Sequence, residues 1–256
     1  MHITPMSIIE TLPFTIDAGL GTRARLGAII LQTDQTIEHE FATLLRCDGV
    51  ALYHARMPNE MEVTPETLLQ MARDLPAAAA LLPRRFAFDA IAYCCTSGAT
   101  MIGEDRVDSM IRQCHPDAVI TDPLRAFMAA LEALGIKRIG LLTPYAPEVT
   151  TQMQNRLLQA GFRISALASF NQSDDFSVAR ISSDSILEGI LALGRRDDCD
   201  AVCVSCTSLR VLPVIARAER LLGKPVLSSN QVSAWHLLRL AQVRDRIDVA
   251  GRLFQV

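Results

Sequence analysis

Lysine is almost missing from this chain. Lys137 and Lys224 are the only two in 256 residues, and both sit at turns that lead into expected strands. No lysine is well placed to form a Schiff base, which removes most pyridoxal-phosphate chemistry. The five histidines, His2, His39, His54, His115 and His236, show no metal-ligand spacing. Formal net charge is −3, with both signs scattered. No basic stripe invites nucleic acid, and no acidic tail is present. The longest apolar runs, such as residues 77–82, are far too short to span a bilayer. Residues 1–21 lack the basic start and small-residue cleavage site of a secretory signal. They read as an arm that packs on a neighbouring subunit, so a homo-oligomer is expected.

What the chain does have is apolar content and thiols. Half its residues are apolar, enough for a sizeable core in one large domain or two small ones. The seven cysteines, Cys47, Cys94, Cys95, Cys114, Cys199, Cys203 and Cys206, are odd in number and sit mostly inside apolar runs. A disulfide framework does not fit such a chain, and a reducing cytoplasm does.

Short apolar runs alternate with longer amphipathic segments, the pattern of parallel sheets with helices on both faces. Strands are expected at 25–31, 49–55, 87–94, 118–121, 138–142, 163–168, 201–205 and 225–227. Helices are expected at 36–45, 65–82, 99–114, 123–134, 147–160, 182–193, 209–222 and 231–240. Thr64-Pro65 and Asp122-Pro123 pair an N-cap with proline at the first helical position. Gly135, Gly161, Gly194 and Gly223 follow helical runs as stops. The expected division is a first α/β half at 22–122, completed by 229–256, and a second at 123–228, with a cleft between them.

Two stretches look like copies. Ala92-Tyr93-Cys94-Cys95-Thr96-Ser97 and Cys203-Val204-Ser205-Cys206-Thr207-Ser208 each end an apolar run in Cys-Thr-Ser ahead of a helical segment. Ligands in open α/β sheets bind at the carboxyl ends of strands, so two similar halves would each offer one thiol there. A helix start would bind a carboxylate through N–H groups and hydroxyls, and would lower a thiol's pKa. Alone, Cys95 reads more readily as a small core residue than as a functional thiol; the repeat favours a facing pair of Cys95 and Cys206. Cys94 points to the opposite side of its strand and reads as core. Cys203 and Cys206 fit a C-x-x-C spacing, but along a strand they face opposite sides, so metal and disulfide readings are poor. The polar loop Gln32-Thr33-Asp34-Gln35-Thr36 follows the first strand, where Asp34 either lines a ligand site or caps a helix. Thr143-Pro144-Tyr145 holds the equivalent place in the second half, and Ser228-Ser229-Asn230 ends the last strand as a cap or as part of the cleft.

These residues carry a resemblance. From about residue 25 to 240 the chain resembles the aspartate/glutamate racemase superfamily, in the branch holding maleate cis-trans isomerase and arylmalonate decarboxylase. Within that branch it is most similar to the ectoine-utilisation (EutA) group. Gln32 to Thr36, Tyr93 to Ser97, Leu142-Thr143-Pro144-Tyr145, Ser205-Cys206-Thr207, Ser229-Asn230-Gln231 and Ala234-Trp235 carry it. The resemblance implies two flavodoxin-like halves related by a pseudo-twofold axis, no cofactor and no metal, with Cys95 and Cys206 as the catalytic pair. It implies carboxylate-holding roles for Tyr145 and the Asp34 loop. Thr96, Ser97, Thr207, Ser208 and Asn230 complete the expected substrate site. Asp34 stands where maleate isomerases carry asparagine, which argues against strict maleate specificity, and Asp175 marks a further polar contact. The decarboxylase branch has glycine at the first thiol position, so Cys95 argues against that chemistry. The expectation is a cofactor-independent isomerase of small carboxylates, tied to ectoine breakdown. The alternative is a protein that binds a small carboxylate or ectoine derivative without turnover.

Overall fold

A computed structural model describes residues 9–85 and 87–256. Eight strands form two parallel sheets. The first contains β1 (Ala24–Leu31), β2 (Val50–Met57), β3 (Ala90–Cys94) and β4 (Val119–Thr121), in the order β2-β1-β3-β4. The second contains β5 (Arg138–Thr143), β6 (Arg163–Ser169), β7 (Ala201–Val204) and β8 (Val226–Ser228), in the order β6-β5-β7-β8. The second order is the first advanced by four strands, so β3 and β7 hold equivalent central places. All eight strands fall where the alternation of apolar runs and turns puts them. β1, β3, β5 and β7 are buried almost continuously, as strands covered on both faces are, while the edge strands β2 and β6 are partly exposed.

The helices are α1 (Ile37–Leu44), α2 (Pro65–Ala79), α3 (Thr96–Ile102), α4 (Glu104–Arg112) and α5 (Pro123–Ala133) in the first part of the chain. They are followed by α6 (Pro147–Gln159), α7 (Asp175–Val178), α8 (Ser183–Gly194), α9 (Leu212–Leu222) and α10 (Ser229–Leu240). Thr64 and Asp122 cap α2 and α5 through their side chains, with proline following each. α5 follows β4 as α10 follows β8, and these two helices pack against each other between the sheets. α10 also lies on α1, β3, β4 and β8, while α5 lies on β3 and α3. A boundary at 122/123 thus separates β4 from a helix that packs on the first sheet as well as on α10.

Four local expectations are corrected. The helix expected at 99–114 starts earlier, at Thr96, and breaks at Gly103, whose φ of 92° no helix accommodates. The helix expected from 209 starts at Leu212, because a helix running through 209 would need the N–H that Pro213 lacks. The short α7 was not anticipated; Asp174 caps it by accepting from the Ser177 N–H at 2.9 Å. Gly194 is the last residue of α8 rather than a stop beyond it, and a Cβ there would run into Leu222.

Strand alternation divides the core. Tyr93 and Cys95 face one apolar cluster, shared with Val204 and Cys206 of the second half. Ala92 and Cys94 face the other, with Cys203 and residues of α5 and α10. The expected arm falls partly on residues 1–8, outside the described residues; its described part, including Leu12, Phe14 and Ile16, is exposed. No helix among the described residues is long and apolar enough to cross a membrane.

Candidate active site

The two thiols reach one cleft by different routes. Cys95 directly follows β3 and is the N-cap of α3; its Sγ accepts from the Gly98 N–H at 3.2 Å and lies 3.6 Å from the Ser97 hydroxyl. Glycine at 98 is required by space, since a Cβ would press on the Tyr93 hydroxyl, on Met71 and on Cys95 Sγ. Cys206 lies two residues beyond β7, with no helix start behind it. It holds a φ of 115°, a conformation that costs a non-glycine residue about 1–3 kcal/mol. Its N–H donates to Ser229 Oγ at 2.9 Å, and the same Oγ lies 2.8 Å from the Thr96 hydroxyl. Ser229, the first residue of α10, thus ties the backbone of one thiol to the residue beside the other.

Each thiol has a buried tyrosine hydroxyl against it, Tyr93 at Cys95 and Tyr145 at Cys206. The Tyr145 hydroxyl also accepts from Ser205 Oγ at 3.3 Å. The expected lowering of thiol pKa at a helix start does not prevail. Burial pushes Cys95 up to about 11, against the opposing pull of Ser97 and the Gly98 N–H. Burial pushes Cys206 well above the ordinary thiol value, and the Asp175 carboxylate adds to the shift. Burial therefore favours the protonated form of both thiols at neutral pH.

Cys95, Thr96, Ser97, Tyr145, Cys206, Thr207 and Ser208 all line this cleft. Two expected site residues do not. Asp34 is buried and accepts from the N–H groups of Thr36 and Ile37 at 2.8 and 2.9 Å, which is the helix-cap role for α1. Its Oδ2 makes no hydrogen bond, and burial raises its pKa. Asn230 lies beneath the floor, donating to Glu40 at 2.8 Å and to the Thr207 carbonyl at 2.9 Å. Glu40 itself is buried, which pushes its pKa to about 7.

Asp175 takes the place that Asp34 does not. It is 5% exposed, lines the cleft, and accepts from Ser208 at 2.9 Å and from Thr33 at 2.5 Å. Asn59 donates to the same Thr33 hydroxyl at 2.8 Å. Backbone bonds from Asp175 to Met61 and from Val63 to Ser173 fasten the segment after β2 to the segment after β6 over the cleft. Ser229, Tyr93 and Asn59 were not singled out from the sequence for the site. Only the Ser228-Ser229-Asn230 run carried any signal, as polar residues ending a strand.

Two protonatable thiols and the hydroxyl-bearing residues Thr96, Ser97, Tyr145, Thr207 and Ser208 line one enclosed space. That set can move a proton on or off carbon, or add sulfur to it, while holding a carboxylate. Among the described residues no group of three His, Cys, Asp or Glu side chains is placed to hold a metal ion.

Comparison with known proteins places the chain. It is 24% identical over 245 residues to the maleate isomerase of Alcaligenes faecalis, covering 90% of this chain and 95% of that one. A Pseudomonas putida maleate isomerase structure, a cysteine-to-alanine variant with maleate, superposes with a TM-score of 0.82 at 23% identity, over 90% of this chain and 97% of that one. A Nocardia farcinica maleate cis-trans isomerase, a cysteine-to-serine variant with a covalently bound succinylcysteine intermediate, gives 0.80 at 26% identity, over 90% and 98%. The family model described as arylmalonate decarboxylase matches residues 59–254. The chain therefore belongs to the arylmalonate decarboxylase family, a family of enzymes.

Proposed function

We propose that the protein is a cofactor-independent isomerase of small carboxylates, working with Cys95 and Cys206 as a pair. The observation that carries this reading is one cysteine just beyond each equivalent strand, β3 and β7, both lining a single cleft. The likeness to maleate isomerases supports it, and the succinylcysteine in the Nocardia farcinica structure supports a cysteine as the attacking group.

Two routes fit the pair. In the first, a thiolate adds to an alkene carbon, the former double bond rotates as a single bond, and elimination of the thiolate gives the other geometric isomer. In the second, one thiolate removes an α-proton and the opposite thiol returns its own proton to the other face, so the two sulfurs exchange states. Each route needs one thiolate and one thiol, with N–H donors for the charge that develops on the carboxylate. Thr96, Ser97, Tyr145, Thr207 and Ser208 are the substrate-holding groups in this proposal. Decarboxylation fits less well, because Cys95 stands where the resembling decarboxylases have glycine. We further propose that the substrate belongs to ectoine breakdown, on the sequence resemblance to the ectoine-utilisation group alone.

Cys95→Ser and Cys206→Ser are each expected to lower kcat by about a thousandfold or more, with Tm within a few degrees of the native value. Loss of maleate absorbance and α-proton exchange into deuterated water read the two routes separately. Full activity in either variant removes the two-thiol mechanism. A protein that binds these carboxylates with no turnover under any assay is the binding protein of the alternative reading.

A further inference from the structure

The charges around the cleft do not suit a dianion. Among the described residues lining it there is no arginine, lysine or histidine, but there are three carboxylates: Glu60, Glu62 and Asp175. Glu60 and Glu62 are exposed on the segment after β2, at the mouth. Asp175 is buried inside, near both sulfurs. Its two hydroxyl partners, Ser208 and Thr33, each occupy one oxygen and leave further acceptor positions on both. The nearest cation on its own segment, Arg180, is turned elsewhere, stacked over the Phe176 ring and donating to Gln35 and the Phe176 carbonyl. A buried carboxylate with spare acceptor capacity and no cation beside it lacks a partner of opposite charge.

We propose that this partner is the substrate: the cleft takes a small carboxylate that also carries a protonated amine, and Asp175 selects it by receiving the ammonium group. The proposal rests on the two-thiol reading above and names the substrate class for it. The carboxylate of such a molecule meets the hydroxyl-bearing residues of the two Cys-Thr-Ser turns; its ammonium has Asp175, with Glu60 and Glu62 drawing it in from solvent. A second consequence concerns the thiols. With Asp175 unpaired, its charge opposes a thiolate at either cysteine. An ammonium that neutralises it removes this opposition as the substrate arrives, which favours formation of the thiolate base.

The test uses thermal shift, which reads recognition apart from chemistry. Alanine, 2,3-diaminopropionate and ornithine supply the ammonium-bearing probes; maleate, fumarate and succinate supply the dianions. The native protein is expected to gain several degrees in Tm from at least one ammonium-bearing probe and none from the dianions. Asp175→Asn keeps an acceptor for Ser208 and is expected to lose that gain and to respond to a dianion instead. Native protein stabilised only by dianions, or by neither set, overturns the proposal, and so does an Asp175→Asn variant with unaltered preference. If that variant does not fold, the native preference alone decides. The two-thiol reading fails on a different measurement: Cys95→Ser and Cys206→Ser should keep the thermal shift while losing turnover, and retained turnover refutes that reading without touching the charge preference.

Discussion

At the scale of single residues, the cleft spends stability to hold two sulfurs in place. Cys206 keeps a left-handed φ that composition gives no hint of, and Ser229 supports it by accepting its N–H. Ser229→Ala would leave that buried N–H without a partner, at a cost of about 1–3 kcal/mol. Because the serine also sits against Thr96, the loss should disturb both thiols. A fall in kcat with KM little changed is the expected result, with Ser229→Thr restoring part of it. A uniform loss of Tm with kcat intact would make Ser229 a structural residue only. The buried thiols allow a second check. With Cys95 at about 11, its alkylation by iodoacetamide should rise about tenfold per pH unit from 8 to 10, because the thiolate is the reacting form. A rate already level at pH 8 would show a thiol far more acidic than its burial allows.

At the scale of elements, the strands were legible because each is a compact apolar run closed by polar or glycine residues, and parallel strands bury both faces. The thiol pair was legible for the same reason, as a repeated strand ending. What escaped was set by contacts between elements. The break at Gly103 and the late start of α9 depend on one glycine and one proline inside otherwise helical patterns. That Asp175 and not Asp34 lines the cleft depends on which polar segment lies over it: Asp34 sits in the loop after β1, whereas Asp175 opens the short α7. Asp34 is instead taken up by the N–H groups of Thr36 and Ile37, where the chain enters α1. The start of α3 supplies an element-scale prediction. Gly98→Ala puts a methyl group against Tyr93, Met71 and Cys95 Sγ, all in a packed core. The added carbon would lie 3.0 Å from the sulfur and beside the N–H that holds it, so activity should fall at least tenfold while Tm drops by only a few degrees. Native activity in Gly98→Ala would mean that Cys95 can move without consequence.

At the scale of the molecule, the two sheets meet through α5 and α10, and this junction carries opposed titrations. His236 on α10 has its Nδ1 2.8 Å from the Thr121 hydroxyl at the end of β4; burial, with the nearby Arg125 of α5, holds its pKa down to about 4. Unfolding releases it to about 6.5. Its contribution to stability is therefore complete above pH 6.5 and is lost as pH falls towards 4. Asp122, which caps α5, and Glu40, beneath Asn230, go the other way. Burial raises them to about 6 and about 7, above their unfolded values. They favour the folded state most below about pH 4 and lose that contribution as pH rises through 6 and 7. Between pH 7 and 5 the two directions oppose, the carboxylates gaining roughly 3 kcal/mol against roughly 2 lost by the histidine, so the native Tm should rise by only a few degrees. Removing the histidine exposes the carboxylates' share. From pH 7 to 5 its loss is worth roughly 2 kcal/mol, or about 5 °C in a chain of this size. His236→Asn, which retains a polar group for Thr121, should gain about that much more Tm on acidification than the native protein does. Parallel pH profiles for the two proteins would show that His236 is charged in the folded junction, and that the packing of α5 against α10 does not exclude its proton.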